Sequence, residues 1–138
     1  MKIDPSVDFL PGARQVSSPK CDDRPQECEP DLIVIHGISL PPGEYGRPWI
    51  DALFTNTLDP QAHPYFAGGP AWRVSSHLLI RRDGELVQYV PLHQRAWHAG
   101  LSSYDGRERC NDFSIGIELE GTDDEPYEGA QYQALAEC

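Results

Sequence analysis

The chain has 138 residues, 11 Lys and Arg against 22 Asp and Glu, a formal charge of −11, 39% hydrophobic and 24% charged residues. That composition excludes a disordered, collagenous or membrane-embedded chain and fits one globular domain with a buried core. Acidity of this degree, with no Lys/Arg stripe to reverse it locally, argues against nucleic acid and against an anionic membrane surface as partners.

Residues 1–30 carry Pro5, Pro11, Pro19, Pro25 and Pro30, which break any helix and predict an extended arm, leaving residues 31–138 as the domain proper. The opening stretch lacks the roughly 7–15-residue apolar core of a signal peptide. No apolar run approaches the roughly 20 residues that span a bilayer, so a cytoplasmic location is expected. Leu32-Ile33-Val34-Ile35 reads as a central strand buried on both faces, ending at His36-Gly37, where crevices form beyond the carboxyl ends of strands.

Pro48 opens a short helix with Trp49, Ile50, Leu53 and Phe54 turned to the core. Residues 55–72, with Asp59-Pro60, His63-Pro64 and Gly68-Gly69-Pro70, read as a long irregular loop of the kind that helps build sites. His77 to Val90 contains two strand-like runs around Asp83-Gly84, a hairpin with a type I′ turn. Ser114 to Glu120 alternates, which predicts a half-buried strand with Ile115, Ile117 and Leu119 on one face and Gly116, Glu118 and Glu120 on the other. Pro126 to Cys138 is helical, with Asp123, Asp124 and Glu125 at its positive end. It has no Gly or Asn stop and no basic last turn, so the helix is expected to continue past Cys138.

Cys21, Cys28, Cys110 and Cys138 contain no C-x-x-C pair and read as reduced thiols. Among His36, His63, His77, His93 and His98 no pair has the H-E-x-x-H spacing of a helical zinc site. His36 is the leading candidate because a strand end holds an imidazole rigidly. Glu118 is the second: such a carboxylate is either solvated or, if buried, raised toward neutrality and fit to carry protons. Arg73, Arg107 and Arg109 offer bidentate carboxylate binding, against the plain alternative of surface arginines. Trp97, in Trp97-His98-Ala99-Gly100, reads either as a stacking platform or as core.

The strings LIVIHGISLPPGE, PWIDALF, DPQAHPYF, HLLIRRDGELVQYVP, RAWHAG and GRERCNDFSIGIELEG, in order from about Gly12 to the end, resemble the AmpD-type N-acetylmuramoyl-L-alanine amidases, zinc enzymes of peptidoglycan recycling. The resemblance implies an α/β (α+β) fold with a central mixed β-sheet flanked by helices, shared with peptidoglycan recognition proteins. It implies cleavage of the amide between 1,6-anhydro-N-acetylmuramic acid and the L-alanine of the stem peptide by an enzyme holding one Zn2+ per complete domain, the anhydromuropeptide being its substrate; a monomer is the default expectation. By position, His36 is then a zinc ligand, Glu118 carries the proton of the attacking water, and Arg73, Trp97 and Arg109 line the cleft, Arg109 on a peptide carboxylate. Two features depart from that pattern. The remaining ligands, a His and an Asp, are expected beyond Cys138, so the domain reads as incomplete at its C-terminus. Alternatives are a muropeptide-binding module, an inactive fragment, or a metal site rebuilt from His77, His98 and Glu118. Gly37 also stands where Asn is usual, which is expected to remove one hydrogen bond to the substrate.

Overall fold

The computed structural model describes residues 7–138; Pro5 of the arm lies outside the described residues. In chain order the elements are β1 (Arg14–Gln15), β2 (Cys21–Asp23), β3 (Leu32–Ile38), α1 (Trp49–Phe54), β4 (Leu78–Ile80), β5 (Leu86–Gln88), β6 (Gln94–Ala96), β7 (Ser103–Tyr104), β8 (Arg107–Glu108), β9 (Ser114–Glu120) and α2 (Gly129–Glu137). Five strands form one sheet in the order β1-β5-β4-β9-β3. The β4–β5 pair is antiparallel and the other three pairs are parallel, so the sheet is mixed. The β2–β6 and β7–β8 pairs stand apart from it.

The centre of the sheet is β9, not β3. All seven residues of β9 are buried, because β4 and β3 pair with its two edges and packed layers cover both faces. β3 pairs only with β9, and its Ile33 and Ile35 remain 42% and 51% exposed. The roles expected for these two strands are thus exchanged. A continuous apolar run is compatible with burial on both faces, but it does not say how many strands will pair with it. The alternation in β9 was expected to give a half-wet strand, yet its Gly116, Glu118 and Glu120 positions are dry.

One face of the sheet carries Leu79, Val87 and Tyr89 against Ile50, Leu53 and Phe54 of α1 and against Phe66. The other carries Leu78, Ile80, Ile115, Ile117 and Leu119 against Ala134 and Leu135 of α2 and against Tyr127. Each fully buried large apolar side chain contributes roughly 1.5–3 kcal/mol, so these two layers fix where β9 lies. α1 has the expected apolar stripe, with Pro48 at its cap. α2 begins at Gly129, later than Pro126, because Glu128 and Gln131 form a reciprocal capping box there.

Three further expectations change. Residues 64–71 are a 3-10 helix within the supposed loop, started by Pro64 and capped by His63, whose Nδ1 accepts the Tyr65 N–H at 3.0 Å. The β4–β5 hairpin forms, but only Gly84 takes a positive φ, +89°, and its N–H donates to the Arg81 carbonyl. That is a three-residue loop with a bulge at glycine, since a type I′ turn needs positive φ at both central residues. The arm is not merely draped over the domain: β1 joins the main sheet beside β5, and β2 pairs with β6.

Candidate active site

The parallel register sets His36 directly beside Glu118. Residues in register on neighbouring strands project from the same face, so the imidazole and the carboxyl leave the sheet together. Glu118 is buried and its Oε2 has no hydrogen-bond partner among the described residues. Burial pushes its pKa up to about 8. It therefore holds a proton at neutral pH and can both give and take one near that pH, as a general acid–base group must. The reading of Glu118 as a solvated carboxylate does not hold.

The five histidines separate by what their nitrogens already do. His36 Nε2 lies 3.0 Å from His98 Nδ1, and His98 Nε2 lies 3.0 Å from Ser114 Oγ. His77 Nδ1 accepts the Gly116 N–H at 3.1 Å, while its Nε2 donates to the Gln94 carbonyl at 2.8 Å. Burial, the first cause in each case, lowers the pKa of His36, pushes His77 down to about 4 and pushes His98 down to about 3, with His77 and His36 adding to the effect on His98. His63 caps the 3-10 helix and His93 pairs with Asp8 at the surface. Among the described residues, His36 is the histidine that keeps a ring nitrogen, Nδ1, without a hydrogen-bond partner beside Glu118.

No group of three or more His, Cys, Asp or Glu able to hold a metal ion occurs among the described residues. The rebuilt site of His77, His98 and Glu118 is therefore not assembled, because both nitrogens of His77 and of His98 are engaged. The four cysteines are free.

Trp97 is half-buried and joined to the irregular segment preceding β4 by Ser75, whose N–H donates to the Trp97 carbonyl at 3.0 Å and whose Oγ accepts the Trp97 N–H. Arg73 is exposed, two residues ahead of that junction. Trp97 Nε1 donates to Asp22 Oδ1 at 3.2 Å, so the ring edge is tied to the arm and is not a plain core residue. Arg109 sits with φ +56° beside an open groove of about 380 Å³ lined also by Leu101, Ser102, Ser103 and Glu108, its side chain 81% exposed. Asn111 Oδ1 accepts the N–H groups of His98 and Ala99, which ties the segment carrying Arg109 to the one carrying Trp97. Arg107 is already engaged: it holds Asp31 through two hydrogen bonds of 3.0 and 3.1 Å and lies over the Phe113 ring. Among the described residues, none of Arg73, Trp97 and Arg109 bonds to His36 or Glu118.

Position 37 points to the opposite face from His36. A Cβ there would overlap the Tyr127 hydroxyl, so a side chain at 37 would meet Tyr127 and not the face that carries Glu118. Asn111 and the Ser114 hydroxyl carry no local sequence signal, and neither the contact of Gly116 with the His98 ring nor the contact of His98 with His36 is visible in the sequence. Their roles arise from pairings 12 to 62 residues apart, and only the Trp97-His98-Ala99-Gly100 string hinted at them.

Comparison with known proteins places this geometry. The chain is 70% identical over 128 residues to the 1,6-anhydro-N-acetylmuramyl-L-alanine amidase AmpD of Citrobacter freundii, covering 93% of this chain and 68% of that one. It is 69% identical to the protein of the same name from Escherichia coli strain K12, covering 93% and 70%. A crystal structure of a selenomethionine derivative of AmpD superposes with a TM-score of 0.93 at 66% identity, over 99% of this chain and 75% of that one. Residues 26–138 match the family model described as N-acetylmuramoyl-L-alanine amidase. On this family match and these likenesses, the chain belongs to the N-acetylmuramoyl-L-alanine amidase family.

Proposed function

We propose that this protein hydrolyses the amide joining the lactyl group of 1,6-anhydro-N-acetylmuramic acid to the L-alanine of the stem peptide, a cytoplasmic step of peptidoglycan recycling. The observation that carries the reading is the buried, unpartnered Glu118 carboxyl beside His36, in a chain whose relatives at 69–70% identity bear that activity in their names. From its ionised form, a minor fraction near neutral pH, Glu118 takes the proton of the attacking water and delivers it to the departing alanine amine, the two halves of general acid–base catalysis. Arg109 offers its guanidinium to a carboxylate of the stem peptide, where a planar fork outperforms an ammonium. Arg73 and Trp97 are assigned to substrate binding with it, the indole supplying a flat apolar face.

The resemblance implies one zinc ion. Catalytic zinc takes about three protein ligands, and His36 is a single donor. The described residues do not complete such a set and by themselves do not fit the metal. His36 is assigned as one ligand, with the others expected in sequence beyond Cys138. When bound, zinc would supply an activated water and polarise the amide carbonyl. The reading takes the enzyme as a monomer acting on a soluble anhydromuropeptide, without nucleic-acid or membrane partners. No helix among the described residues is long and apolar enough to cross a membrane.

The test is incubation with purified 1,6-anhydromuropeptide, with and without added zinc, and mass-spectrometric quantification of released peptide. It is run on this chain and on one extended through the downstream reading frame. Peptide release that follows zinc in either form supports the proposal. Calorimetric binding of the muropeptide without release by either form makes the protein a muropeptide-binding module, and neither binding nor release overturns the assignment altogether.

A further inference from the structure

We infer that Lys20, in the arm, is a positioning residue that sets the backbone carrying Arg73 and, through Ser75, the place of Trp97. The inference rests on the reading of Arg73 and Trp97 as substrate-binding side chains, and its test separates the two.

Lys20 is only 6% exposed, and a lysine ammonium is seldom buried without partners. Its partners are two backbone carbonyls, each at 2.7 Å: that of Leu53 in the last turn of α1 and that of Trp72. A cation suits the carbonyl end of a helix, and charge-assisted bonds offset its burial. The bond to Trp72 does something more. Trp72 lies past the 3-10 helix in extended backbone, so the ammonium fixes the peptide that leads into Arg73.

Lys20 holds the same segment a second time. Its carbonyl accepts the Ser75 hydroxyl at 2.5 Å. That Oγ accepts the Trp97 N–H, and the Ser75 N–H donates to the Trp97 carbonyl, both at 3.0 Å. The two attachments, at Trp72 and Ser75, bracket Arg73, which belongs to no helix or strand and is exposed. Its side chain is thus free to reach outward while its backbone is not free to drift. Lys20 and Arg73 also repel one another, which keeps the guanidinium from folding back onto the carbonyls that hold the ammonium.

An anchor must itself be fixed, and the backbone of Lys20 is pinned to the core. Its N–H donates to Ser18 Oγ at 3.0 Å, the Ser18 N–H donates to the Tyr89 carbonyl at 2.9 Å, and the Ser18 hydroxyl donates to the Phe54 carbonyl. The next residue, Cys21, pairs with Ala96 across β2 and β6. Phe54, Tyr89 and Ala96 belong to one buried cluster. One side chain of the arm therefore refers the position of Arg73 to the core.

The test combines NMR of the 15N-labelled chain with calorimetric affinity for 1,6-anhydromuropeptide, measured on whichever form binds it. The parent should show a slowly exchanging ammonium signal for Lys20, which an exposed lysine does not give. That signal needs no substitution, so the inference can fail even if Lys20→Met does not fold. Lys20→Met keeps the stem and removes every donor. It should speed hydrogen exchange of the Ser75 and Trp97 amides about tenfold or more while Leu79 and Ile117, in the central strands, keep their protection, since local openings report local anchors. Lys20→Arg returns a donating cation and should restore that protection. Affinity should fall about three- to tenfold in Lys20→Met, yet less than about twofold when Arg73→Ala is already present, because a residue acting through Arg73 then has nothing to position. A parent without the protected ammonium, uniform acceleration of exchange across the chain, or an equal loss of affinity with and without Arg73 overturns the inference. If the exchange pattern holds and no form binds the muropeptide, the functional reading fails while Lys20 remains the anchor of this segment.

Discussion

Glu118 and Glu120 lie two residues apart on one face of β9 and both are buried, but they keep different company. Glu120 Oε2 accepts from Arg81 Nη1 at 3.2 Å and from the Gly46 N–H at 3.0 Å, and its Oε1 accepts from the Arg82 N–H at 3.2 Å. Glu118 has an oxygen with no partner among the described residues, and burial alone pushes its pKa up to about 8. Two carboxyls with the same strand, face and depth thus serve opposite ends. One is satisfied and closes the packing around Arg81; the other is left unsatisfied, where native proteins rarely tolerate an orphan without a task for it. The difference between them is made by the elements opposite, not by β9 itself.

The sharpest way to break the comparison is Glu118→Gln, which keeps shape and removes the proton. We expect peptide release by the active form to fall about 10²–10⁴-fold with little change in KM, as general acid–base groups contribute that much. Stability should move the other way, with a definite sign. Between its ordinary value of 4.5 and about 8, Glu118 is protonated in the folded chain and ionised in the unfolded one. The folded state then binds more protons, so stability falls as pH rises through that window, at about 1.4 kcal/mol per unit before relaxation. Urea titrations of the metal-free parent and Gln variant should coincide near pH 4.5, and the Gln variant should be the more stable at pH 8. Equal stabilities at both pH values would place Glu118 in water after all. The companion change, Glu120→Gln, should cost about 1–2 kcal/mol in the same titration, because it removes the most buried of the carboxylates around Arg81 while Asp51 and Glu85 stay within 3.5 Å of the guanidinium.

Gly116 extends the row to a third position, and Gly116→Ala should cost about 1–3 kcal/mol by overpacking against the His98 ring. The loss should come with a displaced His98 resonance; an unshifted ring would mean that the strand yields instead. This row also shows what the sequence can and cannot convey. The sheet, the α1 stripe and the hairpin were legible because apolar period and turn residues act locally. His36 and Glu118 were legible as types, one at a strand end and one amid apolar neighbours. Their adjacency was not, since it depends on the register of two strands about eighty residues apart. The dry environment of Glu118 was misread for the same reason: polar residues at every second position look like a wet face, and only pairing on both edges, with a layer above, tells otherwise. Nothing local separates Arg107 from Arg109 either, yet one is spent on Asp31 and Phe113 and the other faces a groove.

The smallest expected effect concerns a paired carboxylate at the surface. Asp22 accepts from Arg95 Nε and Nη2, at 2.8 and 2.7 Å, and from Trp97 Nε1. The Arg95 hydrogen bonds, opposed by partial burial, and then the Trp97 bond hold its pKa below the usual carboxylate value. That stabilisation is present above the ordinary aspartate pKa and is lost as pH falls through the depressed one. Asp22 is 43% and Arg95 28% exposed at the side chain, and Arg95 keeps Asp112 in any case, so screening limits the pair to about 1 kcal/mol or less. Asp22→Asn retains an oxygen for the indole N–H and should leave KM unchanged. Asp22→Ala removes it, frees the Trp97 ring edge, and should raise KM for the anhydromuropeptide about two- to fivefold, or about 0.4–1 kcal/mol, with kcat intact. Steady-state kinetics on the two variants decide between them. If Asn and Ala raise KM equally, the ion pair with Arg95 matters and the indole bond does not; if neither does, Trp97 is held by its packing alone, and the arm contributes to the fold without shaping the cleft.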